Sequence, residues 1–501
     1  MSEKNIPSSL PPLPELLNSL GLSSVFPHAV DVADAFSSAA HFLVAGGFVR
    51  DVLLKQNPKD LDFATNLHPD QIIKILEDKF AEQIKISRTD QKNEGTHALP
   101  VVRVRFFDTE EYEIATFRKD LGVGDGRKPA TIETVEDPAE DAQRRDFTIN
   151  ALFYDPRDGS IIDHVGGLQD LADKKLRFVG EAQHRLQEDL TRGLRYIRFL
   201  FKTGFAEDPS ALQAIQDLSE QIATQPGERI SNELMKTLQV SHGRFGEIIE
   251  TYDRYGLLNK ILPEVSDLKN CEQGPLYHME GNAYVHTVLV ANGLPAESSA
   301  ELALAAILHD IAKLQTRGER TDEQGRLRVS FFGHAALGAE MARKRLNALR
   351  LSGEQIAHIT FLIGEHIRAF DFPKMGRAKA VAWALNPHAA DVVNLAQADI
   401  AGSIPVDDVL KQQNQELSAN IKNRFLDLSK ELADIHPVRD KIINHIFNGE
   451  NIIELYEKKH GQKPEGPLIG QIKTAAIERL DEAGQYDDSS AQTILDKLIA
   501  K

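Results

Sequence analysis

The sequence predicts a multidomain, mainly helical protein with a small mixed α/β head near its front. Three observations predict it. The chain has 501 residues, room for about three domains at ~100–200 residues each. Strand signals are concentrated between residues 41 and 118, and long stretches beyond residue 165 carry helical periodicity. Aromatic residues are only 7% with a single Trp, which fits packed helices better than a β-sandwich.

Composition removes several classes. Hydrophobic residues at 42% and charged residues at 27% supply a core of ordinary size and exclude global disorder. The one cysteine, Cys271, excludes a disulfide framework and a Cys-rich zinc site, and fits a reducing cytoplasm. No apolar run approaches the ~20 residues of a membrane span. The start, MSEKNIPSSLPPLPELL, lacks a basic and an apolar signal region, so a cytoplasmic location and no membrane partner are expected. The net charge of −17 argues against non-specific coating of nucleic acid. It leaves open a local basic track on a nucleic-acid enzyme.

Residues 1–40 form a polar, Pro-rich lead and a weak amphipathic helix. HFLVAGG reads as a strand ending in Gly46-Gly47, and FVRDVLLK as a helix start. KDLDFAT is a short strand and PDQIIKILEDKF a helix. VVRVRFF and YEIATFR form a hairpin around Asp108-Thr109-Glu110. Residues 119–131 are a Gly-rich, charged loop. Helical stretches follow at 181–203, 229–239, 300–314, 334–350 and 354–369.

Glycines at Gly46 and Gly47 let backbone N–H groups approach a phosphate at a helix N-terminus. Asp60 and Asp62, two apart in a strand, point to one face. They repel unless a cation lies between them, and Mg²⁺ takes carboxylates together with substrate phosphates. Glu113 in YEIATFR is a third carboxylate on a neighbouring strand. Such a set matches two-metal phosphoryl transfer.

GGFVRDVLL with KDLDFATN resembles the signature of the class II nucleotidyltransferases of the polymerase β superfamily, the tRNA CCA-adding enzymes and bacterial poly(A) polymerases. YEIATFR, which ends in Arg118, also resembles the family pattern, and RRDFTINAL resembles its second motif. There Arg145 can reach a triphosphate, and Asp146 and Asn150 can hydrogen-bond a ribose. LQEDLTRGLRYIRFLFK resembles the motif that serves the family as a protein template. Asp189 and Arg192, three apart on a helix, share a face. A carboxylate accepting an amino group beside a guanidinium donating to a ring nitrogen fits cytosine and adenine and rejects uracil and guanine. Arg195, Arg198 and Lys202 continue a cationic face, the candidate tRNA and triphosphate track. Arg229 and Glu233, in ERISNEL, read as structural support. The resemblance implies Gly46, Gly47, Arg50, Arg118, Arg145, Asp146, Asn150, Asp189, Arg192, Arg195 and Arg198 as nucleotide-binding residues.

A different signal runs through residues 276–410: His286, the adjacent pair His309-Asp310, His334, His366 and Asp399. This order resembles the HD phosphohydrolase superfamily. Imidazoles with carboxylates suit Mn, Fe, Co, Ni or Zn rather than Mg, so a transition metal such as Ni²⁺, Mn²⁺ or Co²⁺ is expected. His286, His309, Asp310 and Asp399 can ligate one metal; His334 and His366 can hold a second metal or grip a phosphate. Near the end, HGQKPEGPLIG resembles the family's GxKPGPxIG segment, with Glu465 in place of a Gly.

The resemblance implies a polymerase β-like nucleotidyltransferase head (41–160) behind an N-terminal extension (1–40). An all-α neck (161–275), an HD domain (276–410) and a helical RNA-binding tail (411–501) follow. It implies addition of C, C and A to tRNA from CTP and ATP, with Asp60, Asp62 and Glu113 on Mg²⁺, and an additional phosphohydrolase activity. A partial CC- or A-adding enzyme, a poly(A) polymerase, and an HD phosphohydrolase with an inactive transferase half are the alternatives.

Overall fold

All four residues of Phe42–Ala45 (β1) are buried, as an apolar run in the middle of a sheet should be. The computed structural model describes residues 6–88, 101–107, 111–122, 131–274, 276–321 and 327–500. The expected hairpin tip Asp108-Thr109-Glu110 and most of the Gly-rich loop, residues 123–130, lie outside the described residues.

Around β1 the head builds a sheet from Asp62–Thr65 (β2), Ile84–Arg88 (β3), Val102–Phe106 (β4) and Glu111–Thr116 (β5). Arg118–Leu121 (β6) and Thr131–Thr134 (β7) pair separately, and Phe153–Tyr154 (β8) and Ile161–Ile162 (β9) close the far edge. The seven-stranded order is β3-β4-β5-β2-β1-β8-β9. β2 runs antiparallel to β1 and parallel to β5, with Ala45 opposite Asp62 and Phe63 opposite Ile114. That register brings the carboxylates of β2 and β5 beside the turn that follows β1.

The N-terminal segment packs against this sheet. Helices Leu13–Ser19 and Ala29–Ala35 bury Leu13, Leu16, Leu17 and Val32, and Phe36 stacks on Phe42 at 4.3 Å.

The chain divides into two compact units, Met1–Val240 with Thr251–Ile261, and Ser241–Glu250 with Leu262–Lys501. The first contains the sheet and the helices Ala182–Glu188, Thr191–Thr203 and Gly227–Val240. The expected single helix over 181–203 is broken at Asp189-Leu190: Asp189 is extended, with φ −150° and ψ 102°. Among the described residues the second unit is helical apart from an antiparallel strand pair, Gly318–Thr321 with Leu327–Ser330, which departs from the expected all-α reading. Its longest helix, Asp408–His445, contains Pro437. Glu465 is the N-cap of Gly466–Ala483 at φ −66°; Gly466 and Pro467 follow it, so it is an added residue before the motif's Gly rather than a replacement for it. The tail closes over a core of Ile442, Phe447, Ile452, Ala476, Leu480 and Leu495. Among the described residues no helix is long and apolar enough to cross a membrane.

Candidate functional site

Gly46 carries φ +71° as N-cap of the helix Gly47–Leu53, a conformation that costs an L side chain but not glycine. A Cβ there would also come within 3.2 Å of Arg145 Nη1. Glycine thus opens one wall of a cleft of about 620 Å³. Gly46, Gly47, Arg50, Asp60, Asp62, Glu113, Arg145, Asp146, Asn150, Asp189, Arg192, Arg195 and Arg198 all line it. Arg118 does not. Its guanidinium lies 3.5 Å from Asp120, and its carbonyl accepts from Arg144, so it positions Arg144 rather than facing the cleft.

Asp60 precedes β2 instead of lying within it, yet it reaches the same cleft as Asp62 and Glu113. Burial, then Glu113 and Asp60, push the Asp62 carboxyl up to about 6. Arg103 offsets part of the charge from 2.7 Å on Glu113. An all-oxygen set carrying excess negative charge fits Mg²⁺.

Opposite the carboxylates stands a cationic wall that is held by internal partners. Buried Asp141 accepts from Arg144 at 2.8 Å and Arg145 at 3.1 Å. Asp146 takes Arg195 through two N–H groups at 3.0 and 2.5 Å, and also accepts from Asn150. Burial alone would raise Asp146; the Arg195 charge and these hydrogen bonds outweigh it and hold the carboxyl at about 2. Asn150 in turn accepts from Arg50.

The helix Thr191–Thr203 carries Arg192, Arg195, Arg198 and Lys202, but this is not a free cationic stripe. Arg192 pairs with Glu188 at 2.6 Å, Arg198 with Glu233 at 2.6 Å and Lys202 with Asp51 at 3.1 Å. All but Lys202 still line the cleft. Truncating Arg198 leaves Glu233, 5% exposed, without its partner. Arg198→Ala should therefore lower stability by ~3 kcal/mol. Adding Glu233→Gln should recover part of that loss in a thermal melt.

Asp189 and Arg192 meet the cleft from either side of the helix break rather than from one helical face. Asp189 accepts from the Thr191 amide at 3.0 Å and lies 3.5 Å from Arg229, so Arg229 touches the site directly. Arg192 donates to the Arg185 and Arg144 carbonyls as well as to Glu188, which fixes its plane.

In the second unit the six predicted residues come together. His286, His309 and Asp399 form one group of converging ligand atoms, and Asp310, His334 and His366 another. His286 Nε2 lies 2.9 Å from Asp399, and His334 Nε2 lies 3.3 Å from His366 Nε2. The sequence grouping put Asp310 with the first set; here it joins the two, 3.0 Å from His309 and 3.4 Å from His334. His309, His334 and His366 each turn Nδ1 to a carbonyl, of Ala306, Phe331 and Ile363, at 2.7–2.8 Å. This leaves Nε2 for the centre, the arrangement that orients ligating imidazoles. His309 Nε2 is buried with no hydrogen-bond partner. Burial and then His309 push His366 down to about 4, so it is neutral, as a ligand must be. The orphaned nitrogen and mixed N/O set fit a transition metal.

Several contributors were missed in the sequence. Phe199 lies under Arg50, Arg198, Arg195 and Lys202 at 4.8–6.0 Å from its ring centre. Its only signal was its place among the arginines of one helix. Lys313, 2.6 Å from Asp310, was visible as the last residue of HDIAK. Glu280, 2.6 Å from His278 and 3.2 Å from His286, sat unremarked in YHMEGN.

Three family models match the chain: the poly A polymerase head domain at residues 42–177, the probable RNA and SrmB-binding site of polymerase A at 204–269, and the HD domain at 281–390. A CCA-adding enzyme of Lactobacillus johnsonii is 38% identical over 218 residues, 43% of this chain and 50% of the relative. Poly(A) polymerase I of Haemophilus influenzae is 35% identical over 239 residues, 44% of this chain and 48% of the relative. These matches span about half the length of each relative. The solved structure of the Bacillus stearothermophilus CCA-adding enzyme in complex with CTP superposes with a TM-score of 0.62 at 22% identity. It covers 94% of this chain and 97% of that one, and it shares the fold.

Proposed function

Because the chain belongs to the class II CCA-adding enzyme and poly(A) polymerase family, with head, RNA-binding and HD domains, we propose that it adds the 3′-terminal C, C and A to tRNA from CTP and ATP. The observation that carries this reading is the convergence of Asp60, Asp62 and Glu113 with Gly46, Arg145, Asp189 and Arg192 on one cleft. A carboxylate wall facing an arginine wall is the charge arrangement that a nucleoside triphosphate and its metals need. Mg²⁺ on Asp60, Asp62 and Glu113 would supply charge neutralisation at the reacting phosphate. Arg145 and Arg195 orient the triphosphate, and Asn150 and Asp146 face the ribose. Asp189 and Arg192 read the base. The tRNA 3′ oxygen bonds to the α-phosphorus, the bond to the β-phosphate oxygen breaks, and pyrophosphate leaves. The test is incorporation of labelled CTP and ATP into tRNA transcripts lacking CCA, with one pyrophosphate released per residue added.

A second reading, poly(A) polymerase, is favoured by the Haemophilus relative; it predicts long adenylate tails from ATP alone.

The HD cluster supports a separate metal-dependent phosphohydrolase activity. His286, His309 and Asp399 would hold one transition metal, and Asp310, His334 and His366 a second or the substrate phosphate. The metal would supply an activated water; against burial, His309 at 3.0 Å and Lys313 at 2.6 Å hold the Asp310 carboxyl well below the usual carboxylate range. His309→Ala with Asp310→Ala should remove the transition metal bound at the HD cluster and all phosphoester hydrolysis. Nucleotide addition should stay near wild type. Wild-type protein that binds no transition metal would contradict this assignment.

A further inference from the structure

Among the described residues, one group of ligand-capable side chains in the second unit shares no member with the HD cluster: His358, His388 and Asp391, whose donor atoms lie within 4.8 Å of one another. His358 stands on the helix Gly353–Glu365. His388 is the N-cap of Ala389–Gly402, and Asp391 lies in that helix's first turn. The two imidazoles stack at 3.8 Å with planes 21° apart, and His358 Nε2 is 3.1 Å from Asp391 Oδ2. Among the described residues neither ring nitrogen of His388 has a hydrogen-bond partner; its hydrogen bonds run through its backbone, to Asn386 and Val392.

The placement repeats that of the HD ligands. His366 follows His358 by eight residues, and Asp399 follows Asp391 by eight. Both steps correspond to about 12 Å along a helix. The same two helices that carry His366 and Asp399 thus carry a second imidazole–carboxylate pair about two turns away.

We propose that His358, His388 and Asp391 form a further transition-metal site, distinct from the HD cluster, that clips these two helices together. Two imidazoles and one carboxylate are a donor set for Zn²⁺, Co²⁺ or Ni²⁺, with water completing the shell. Tetrahedral zinc with bonds near 2.0–2.1 Å needs donors about 3.3–3.5 Å apart. The pair at 3.1 Å stands slightly closer than that span, a hydrogen-bond distance that a small outward shift would open to it. All three side chains are partly exposed, so small rotations can close the remaining distances and metal can enter from solvent. Fastening the helices here would steady the segment of each that presents an HD ligand.

The experiment is Zn²⁺ titration of the metal-stripped full chain, with stoichiometry and affinity read by calorimetry and by elemental analysis after dialysis. His388→Ala should bind one Zn²⁺ fewer per chain than wild type. The near-isosteric Asp391→Asn should weaken that one site by ~10-fold or more. The His309→Ala/Asp310→Ala variant should keep the site, and adding His388→Ala to it should abolish it. Circular dichroism checks that each variant is folded. Equal stoichiometry and affinity in wild type, His388→Ala and Asp391→Asn would overturn the proposal.

Discussion

Asp62→Asn should cut nucleotide addition by ~10³-fold or more and at the same time raise the melting temperature of the metal-free protein at pH 8. The two effects share one cause. Burial first, then Glu113 and Asp60, raise the Asp62 carboxyl from 3.8 to about 6. A carboxyl raised in the folded state holds its proton more tightly there than in the unfolded chain. The fold is therefore favoured at low pH, and that advantage is lost as pH rises from about 4 through 6. At pH 8 the charged Asp62 opposes folding by ~3 kcal/mol, from about two units at 1.36 kcal/mol each. Asparagine removes the charge and keeps the shape. The gain should shrink as the pH falls below 6 and vanish near pH 4. It should also shrink in saturating Mg²⁺, which binds only the wild-type carboxylate set. A variant that is inactive and no more stable than wild type at pH 8 would mean that Asp62 packs rather than ligates. Near-normal activity would remove it from the site altogether.

Asp189→Ala should relax discrimination against UTP and GTP by as much as ~10⁴-fold, because a site built to hydrogen-bond a group rejects the analogue that lacks it. The geometry strengthens the expectation. Arg192 has five N–H donors, and three contacts, to the Arg185 carbonyl, Glu188 and the Arg144 carbonyl, fix its plane. The remaining donors then point from a rigid frame. Asp189 is tied to the Thr191 amide but lies outside either helix, so its carboxylate can meet a base edge. Arg192→Ala should depress CTP and ATP use together. Its fold should survive, because Glu188 keeps Arg185 at 2.8 Å. The measurement is kcat/KM for all four nucleotides on each variant. An Asp189→Ala enzyme that slows yet keeps wild-type selectivity would make the residue part of the Arg229 ion pair and nothing more.

Most of the head was legible because its chemistry lies on consecutive short motifs. Gly46-Gly47, Asp60 with Asp62, and RRDFTINAL each carry their roles in local order. The sheet register then places them together through Ala45 opposite Asp62 and Phe63 opposite Ile114. The HD residues were legible from spacing: His309, His334 and His366 each close or begin a helix, and His286 lies in the first turn or so of Ala283–Asn292. Pairing across distance was not legible. Nothing in the periodicity of Arg192, Arg195, Arg198 and Lys202 says that Glu188, Asp146, Glu233 and Asp51 neutralise them. A stripe that reads as free cations became a set of anchored ones. The break at Asp189 was hidden for a similar reason. EDLTRGLRY has ordinary helix formers on both sides, and local propensity yields to tertiary contacts. Arg118 looked like its neighbours in the motif, but its side chain turned to Asp120 on its own strand. Short strands such as β8 and β9, two residues each, carry too little pattern to be seen before folding.

The central claim is that one cleft selects C, C and then A without a template. The most direct measurement resolves products at single-nucleotide length for tRNA transcripts ending before the first C, after one C and after two. Each transcript is incubated with Mg²⁺ and with CTP, ATP or both. The account predicts two additions, one and none from CTP alone, a single A from ATP on the transcript ending in two Cs, and a stop at CCA when both are present. Adenylate tails that lengthen on all three transcripts with ATP alone, or no addition to any of them, would contradict it.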